Sequence, residues 1–217
     1  MMKAVHEAST LVLENVQAQY CSHACPQCGW ADENSSRRDV FHDPSVSMER
    51  VLRHALEGPD RFDLIAIRPH GEATLDRNLG ALLSQLRVLS RPVVVYTNGS
   101  TLHRDDVRLE LAQADGVVLE LSAADASTGA GLHDVPWHRL EVMLHGLRVF
   151  SSAFKRPVFT STHLIAGFNA HGASVEAIAD LASIFKPVVS YLTFAGPFDP
   201  DHRFRVEQRF AERVRRV

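Results

Sequence analysis

The sequence lacks any apolar run of the roughly 18 residues that a membrane-spanning helix needs. Its first residues carry one lysine and then an acid, without the basic start and apolar stretch of a secretory signal. It also has no internal repeat, and its formal net charge of −3 favours neither nucleic acid nor an anionic membrane as a partner. We therefore expect a cytoplasmic protein without a membrane partner.

Cysteine is scarce, and its distribution is uneven. The chain has three cysteines, and all of them lie in one short stretch as Cys21, Cys25 and Cys28. An odd number of cysteines in a reducing compartment argues against a disulfide framework. Thiols clustered in this way predict a metal or redox site.

What the sequence does contain is a regular alternation of short apolar runs and helical periods. Six runs predict strands, at 11–16, 63–68, 92–96, 116–121, 157–165 and 188–194. Helical patterns are found at 46–56, 75–89, 103–113, 140–150, 175–185 and 204–216. The polar residues 31–44 are typical of a loop.

Six strand–helix units predict a parallel sheet with right-handed crossovers and an α/β fold. A closed eight-unit barrel needs about 250 residues, and this chain has 217. We therefore expect a partial, TIM-like (βα)6 barrel, and a doubly wound sheet is the alternative. The expected organisation is a single domain over 1–217, with its core at about 11–197 and a basic C-terminal helix at 204–216.

Polar residues and glycines follow each predicted strand at its carboxyl end, which is where parallel α/β folds collect their chemistry. Such segments follow all six strands, and they are the cysteines, Pro69–Leu75, Thr97–Gly99, Ser122, Leu164–Asn169 and residues 195–197. This placement on one rim favours a functional site over a plain scaffold.

The cysteine triplet fits two kinds of metal centre. Three thiolates at spacings of four and three can each ligate one iron of a cubane cluster and leave the fourth iron open. Zinc is the alternative, because Cys25-Pro-Gln-Cys28-Gly29 looks like half of a zinc ribbon. Cys21 with His23 or His42 could complete a Cys3His site, although the chain has no second cysteine pair for a ribbon.

The run Cys21-Ser-His-Ala-Cys25-Pro-Gln-Cys28 resembles the cluster loop of radical SAM enzymes. Residues 69–75 resemble that superfamily's Gly-Gly-Glu-Pro segment, and Thr97-Asn98-Gly99 resembles its Thr-Asn-Gly turn. Ser122 matches the fourth-strand serine, and 164–169 resembles the segment beside adenine. The order of motifs is closest to the branch with wyosine-type tRNA-modifying and uncharacterised iron–sulfur oxidoreductase-like members.

This resemblance implies a [4Fe–4S] cluster on the three cysteines that reductively cleaves S-adenosylmethionine (SAM) to a 5′-deoxyadenosyl radical. The radical would abstract hydrogen from an unidentified small molecule, peptide, protein or RNA. An electron donor of the flavodoxin or ferredoxin type is implied as a partner. The resemblance implies SAM contacts for Gly71, Glu72, Thr97, Asn98, Ser122, Leu164, Gly167 and Asn169, and it assigns no catalytic residue.

Some residues depart from the superfamily's pattern, and others allow both a structural and a functional interpretation. Gln27 stands where an aromatic is usual, Ala73 replaces a proline, and His70 replaces the first glycine. His163 is typical of a buried structural histidine as well as of a functional one. The arginines of 203–216 are typical of a solvated helix face, and binding of an RNA phosphate is the alternative.

The alternative functions are a zinc-stabilised binding module without radical chemistry and a glycyl-radical activase.

Overall fold

The fold is known from a computed structural model that covers most of the chain. It describes residues 10–14, 20–25, 28, 33–34, 38, 43, 45, 48–49, 51–53, 62–134, 137–194 and 206. The predicted rim segment at 195–197 therefore lies outside the described residues, as do Gln27 and, apart from residue 206, the basic helix at 204–216.

Eight strands are present in the described part of the chain. They are β1 (Thr10–Leu13), β2 (Tyr20–Cys21), β3 (Glu33–Asn34), β4 (Leu64–Ile67), β5 (Val93–Thr97), β6 (Gly116–Glu120), β7 (Val158–Leu164) and β8 (Ser190–Phe194). Six of them form one parallel sheet in the order β1-β4-β5-β6-β7-β8. Strand order follows chain order, whereas a doubly wound sheet reverses its order at a switch point. The expected partial (βα)6 barrel is thus confirmed.

Strands β2 and β3 form a separate two-stranded parallel sheet, which the sequence analysis did not predict. Tyr20 pairs with Glu33 and Cys21 with Asn34. The prediction that 31–44 is a loop is therefore wrong at Glu33–Asn34. Two residues per strand are too few for the alternating pattern that identifies a strand in a sequence.

Five α-helices follow the strands in the described residues. They are α1 (Leu79–Leu86), α2 (Asp105–Leu111), α3 (Ala126–His133), α4 (Trp137–Ala153) and α5 (Gly172–Ser183), and short 3-10 helices cover Ala73–Leu75 and Arg87–Leu89. Of the predicted helix at 46–56, the described residues 48–49 and 51–53 are helical. Helix α3 was missed. Nowhere in the described ranges does a helix have the length and apolarity to cross a bilayer.

The core lies between the helices and one face of the sheet. Ile65, Ile67, Val95 and Leu119 are fully buried and share one cluster with the leucines of α1 and α4. Right-handed crossovers between strands in sequential order place all of these helices on that face. Because side chains alternate along a strand, the intervening residues face the opposite side of the sheet. We call that second side the concave face.

Candidate metal and cofactor site

The cysteine loop starts at the end of β2 and lies on the carboxyl rim of the sheet. The thiols of Cys21 and Cys25 are half-buried, whereas Cys28 is exposed. The Cys28 N–H donates to the Cys25 carbonyl at 2.9 Å. The Cys21 sulfur accepts the N–H of His23 at 3.5 Å. The three predicted ligands thus belong to one loop, and backbone N–H groups of that loop form hydrogen bonds within it.

Gly71 holds this loop against the end of β4. The N–H of the next residue, Glu72, donates to the Tyr20 carbonyl at 2.8 Å, one residue before Cys21. Gly71 has a φ of +150°, and a Cβ at this position would lie 2.3 Å from the Tyr20 carbonyl oxygen. Only glycine permits both that backbone conformation and that approach. Gly71, predicted as a SAM contact, therefore anchors the cysteine loop.

The carboxylate of Glu72 is buried and joins two rim segments. One of its oxygens accepts hydrogen bonds from the Thr74 N–H at 3.0 Å and from the Thr74 and Thr97 hydroxyls, each at 2.5 Å. The other accepts the Asn98 N–H at 2.7 Å. Burial raises the pKa of this carboxyl, and the four donors oppose that shift. Both oxygens are thus engaged by the Thr-Asn-Gly turn and the segment before α1.

Asn98 continues this network to the cysteines. Its side-chain amide donates to the Cys21 sulfur at 3.6 Å and to the Ser22 hydroxyl at 3.1 Å. The hydroxyls of Ser22 and Ser100 are hydrogen-bonded at 2.6 Å. The structure therefore brings together the cysteine loop, Gly71, Glu72, Thr97 and Asn98, which the sequence analysis assigned to one site.

A buried arginine supports this network from outside the predicted motifs. Arg38 donates to the carbonyls of Thr74 and Asp76, each at 3.0 Å, and forms ion pairs with Asp106 and Glu110 of α2. A buried guanidinium with carboxylate partners fixes the geometry of its neighbours. Arg38 lies in the polar stretch that was predicted as a loop, and nothing in its spacing marked it.

The remaining predicted contacts form a second group, at the ends of β6 and β7. The amide of Asn169 is fully buried, and it donates to the carbonyls of Ser122 and His163 and accepts the Ile165 N–H, all at 2.7–2.8 Å. The Ser122 hydroxyl accepts the His163 N–H at 3.2 Å. Asn169 thus ties the two strand ends together.

The other two predicted residues of this second group differ in their surroundings. Leu164 is fully buried. Gly167 has a φ of +81°, and a Cβ there would meet no atom within 4 Å. SAM contacts by these two residues, as by Ser122 and Asn169, stay predictions.

Two histidines that were not predicted to contact SAM, His23 and His133, lie close to the cysteines. The Cys25 sulfur is 3.1 Å from Nδ1 of His133, at the end of α3, and the His133 carbonyl accepts the Ala24 N–H at 3.0 Å. The rings of His23 and His133 stack with their centroids 4.3 Å apart. His133 was missed because no ligand spacing links it to the loop. Helix α3 was missed because its two glycines interrupt any apolar stripe.

The donor set of the loop fits a cationic metal centre. Burial raises the pKa of the Cys21 thiol to about 12 and raises that of Cys25 as well, and the carboxylate of Glu120 contributes to both shifts. A thiol in such surroundings ionises when a bound metal compensates its charge. Burial also lowers the pKa of His23 to about 3 and that of His133 to about 4. Both imidazoles are therefore neutral at physiological pH.

A cavity of about 320 Å³ lies beside the loop. It is bounded by Ser22 and His23, by the segment after the Thr-Asn-Gly turn, and by the first turns of α4. It contains no strand residue of the concave face. This cavity therefore lies between the cysteine loop and α4, and it is separate from the concave face.

Sequence comparisons find distant relatives of this chain. No protein-family model matches the chain. The chain is 26% identical over 183 residues to GTPase Obg of Brachyspira hyodysenteriae and 24% identical over 189 residues to a UPF0026 protein of Methanocaldococcus jannaschii. These matches cover 82% and 84% of this chain but only 27% and 58% of the relatives. The chain therefore spans less than two thirds of either relative.

Solved structures are similar over nearly the whole chain. Streptococcus suis SuiB bound to S-adenosylmethionine matches with a TM-score of 0.70 and 18% identity, covering 96% of this chain and 47% of SuiB. A radical SAM methyltransferase from Sphaerobacter thermophilus matches at 0.66 and 19%, covering 95% and 62%. TYW1 with a lysine-pyruvate adduct matches at 0.61 and 15%, covering 94% and 68%. The predicted resemblance to radical SAM enzymes is thus confirmed at the level of the fold.

Proposed function

We propose that this chain is a radical SAM enzyme that holds a [4Fe–4S] cluster on Cys21, Cys25 and Cys28. The observation that carries the proposal is the hydrogen-bonded path from Glu72 through Asn98 to Cys21. This path joins three separate sequence segments, each of which resembles a radical SAM motif. The fold shared with SAM-dependent enzymes supports the same assignment.

When bound and reduced, the cluster would supply the electron that cleaves SAM. Cys21, Cys25 and Cys28 would hold three irons, which leaves one iron open to SAM. The residues of the rim would position the loop and limit the entry of water. The substrate is unidentified, and an electron donor of the flavodoxin or ferredoxin type would deliver the electron.

Anaerobic reconstitution of the full chain with iron and sulfide tests this proposal. We expect about four irons per chain, and alanine at any of the three cysteines should reduce the iron content severalfold. With dithionite and SAM, the loaded protein should release 5′-deoxyadenosine. The exposed His145 of α4 serves as a matched control, and His145→Ala should load and react like the original chain. A protein that takes up no iron or sulfide contradicts the proposal.

A zinc-stabilised binding module is the second candidate, and a specific cluster of side chains favours it. One ligand atom from each of His23, Cys25 and His133 lies within 4.8 Å of the other two. Neutral imidazole nitrogens and a thiolate are ordinary zinc ligands. This set shares only Cys25 with the proposed cluster ligands, so the two candidates predict different responses to substitution.

Metal analysis of single variants separates the two candidates. If zinc is the resident metal, His23→Ala and His133→Ala should release it, whereas Cys21→Ala and Cys28→Ala should retain it. If the cluster is resident, the cysteine variants lose iron and the histidine variants keep it. A glycyl-radical activase would behave like the cluster enzyme and would also generate a glycyl radical on a partner protein, which electron paramagnetic resonance detects.

A further inference from the structure

The concave face carries a row of polar side chains just below the cysteine loop. The strand register aligns Tyr96 with Val118, so Glu120 lies two residues farther along on the same face. Glu120 pairs with Ser161, and His163 pairs with Thr193 of β8. Arg68, Glu120 and Thr193 are exposed, and the row is therefore open to solvent.

Glu120, His163 and Thr193 form a connected hydrogen-bonded set. Oε1 of Glu120 lies 2.6 Å from Nε2 of His163, and the Thr193 hydroxyl lies 2.5 Å from Nδ1 of the same ring. The Glu120 side chain is nevertheless 45% exposed and that of His163 33% exposed. An ion pair with this exposure adds little stability, so packing alone does not explain it.

Arg68, which directly follows β4, is the cation of this row. Its guanidinium carbon lies 5.5 Å from the centroid of the Tyr96 ring, a cation–π arrangement. Among the described residues, no carboxylate forms an ion pair with it. The nearest acids make their direct contacts elsewhere, since Glu120 contacts His163 and Glu14 lies 3.8 Å from His70, although the charge of Arg68 acts on Glu120 at longer range. Arg68 therefore presents an oriented, solvent-facing guanidinium.

The row and the cysteine loop are close enough to influence each other electrostatically. Partial removal from water raises the pKa of Glu120, but the hydrogen bond and charge of His163 and the charge of Arg68 outweigh this effect and lower the pKa. Glu120 in turn acts on Cys21 and Cys25. A molecule held on this row would therefore lie within electrostatic reach of the cysteine loop.

We propose that Arg68, on the concave face, holds an anionic group of the substrate, either carboxylate or phosphate, and that Glu120 and His163 contact polar hydrogens and acceptors beside that group. The proposal rests on the function proposed above, whose substrate it describes. A planar guanidinium stacked on an aromatic ring is well suited to both anions, because its N–H groups match two oxygens at once. The neighbouring carboxylate would disfavour an anion placed farther along the row and so orient the substrate.

Binding of small matched probes to the full chain tests this proposal. Benzoate and phenyl phosphate supply the two anions, and benzamide and benzyl alcohol are their neutral counterparts. Saturation-transfer NMR should show the anionic probes binding at least about tenfold more tightly, as expected for a hydrogen-bonded charge. The preferred anion, carboxylate or phosphate, follows from which probe binds more tightly. The ring signals of His163, assigned with His163→Asn, should shift on binding.

Substitution of the arginine should remove the preference for anions. Arg68→Gln should weaken the anionic probes about tenfold, and Arg68→Lys should bind them at least threefold better than Arg68→Gln. Arg148→Gln, on the exposed side of α4, is the matched control and should bind like the original chain. Circular dichroism and thermal melts of each variant check that it is folded.

Equal binding of anionic and neutral probes, or unchanged binding by folded Arg68→Gln, would overturn the proposal. The probes are tested on metal-free and on reconstituted protein. A chain that loads iron and cleaves SAM without any preference for anions contradicts only this inference. A chain that prefers anions but takes up no iron contradicts only the radical SAM assignment.

Discussion

Two glutamates of the rim have contrasting surroundings: Glu72 precedes the 3-10 helix Ala73–Leu75, and Glu120 is the last residue of β6. Glu72 is 3% exposed and accepts four hydrogen bonds from neutral donors. Glu120 is half-exposed and contacts a histidine that is itself partly open to solvent. The first carboxylate has its oxygens occupied by the protein, whereas the second has room for another molecule.

This difference in exposure suggests different roles for the two glutamates. Glu72 helps to assemble the rim, whereas Glu120 is placed to contact a ligand. The motif residue Glu72 joins the Thr-Asn-Gly turn to the segment that Gly71 anchors on Tyr20. The row around Glu120 has no motif and is stabilised by fewer contacts. We therefore expect substitutions in the rim to change stability and metal content, and substitutions in the row to change binding.

The largest effect should come from Gly71→Ala. The new methyl group would collide with the Tyr20 carbonyl at a φ that alanine avoids, so we expect a loss of roughly 3 kcal/mol or more and a drop in metal content. Urea unfolding and metal analysis measure both. Gly167→Ala, which has positive φ but open space, should lose about 1 kcal/mol. Gly172→Ala should stay within about 0.5 kcal/mol of the original. A Gly71→Ala protein as stable as Gly172→Ala would refute the anchor.

Glu72→Gln should be the next most damaging change. The amide nitrogen of glutamine cannot accept the hydrogen bonds that one carboxylate oxygen receives, so buried donors lose their acceptor. We expect a loss of about 2–3 kcal/mol in the free energy of unfolding. Glu120→Gln, at its half-exposed site, should lose less than about 1 kcal/mol. Similar losses in both variants would remove the distinction between the two glutamates.

The pH dependence of stability should have opposite signs in the two regions of the metal-free protein. The unfolded chain protonates His133 below its ordinary pKa of 6.5, whereas the folded chain does so only near 4. Acidification from pH 7.5 to 5 should therefore cost about 2 kcal/mol from His133 alone, and His133→Gln should remove that part. A pH-independent free energy of unfolding over this interval would contradict the burial of neutral histidines.

The contribution of His163 to stability should fall as the pH rises, which is opposite to that of His133, and this should be the smallest of the effects. The hydrogen bond to Glu120 raises its pKa despite burial. Its contribution to stability is then complete below pH 6.5 and is lost as the pH rises through the raised value. NMR titration of the His163 ring should show a lower pKa in Glu120→Gln, while stability changes little. An unchanged pKa in that variant would mean that the ion pair is absent in solution.

The sequence predicted the main sheet well because its strands are apolar and bounded by turns. The observed Gly116–Glu120 and Val158–Leu164 lie within one or two residues of the predicted runs. The motif residues were placed on one rim because parallel strands end at one edge. The strands β2 and β3 escaped prediction because each has two residues, and helix α3 escaped it because its glycines interrupt the apolar stripe.

The site was predictable only where neighbouring residues spell out a motif. Cys21, Gly71 and Asn98 were identified from such local segments. Arg38, Arg68 and His133 act through contacts with residues 36 to 108 positions away or through the register of the sheet, which spacing along the chain does not encode. Glu120 lies in the predicted strand 116–121. Its place on the concave face follows from the alternation of side chains along that strand, and its neighbours follow from the strand register.

If a carrier delivers the proposed cluster, the unequal exposure of the three thiols decides which thiol meets the carrier first. The segment with Cys21 and Cys25 is already held to neighbouring elements by hydrogen bonds to Glu72, Ser100 and His133. Cys28 is the exposed thiol of the three. Transfer from a carrier proceeds by exchange of one ligand for another, so the first exchange should occur at Cys28. Cys28→Ser should then slow the handover from a carrier more than Cys21→Ser does.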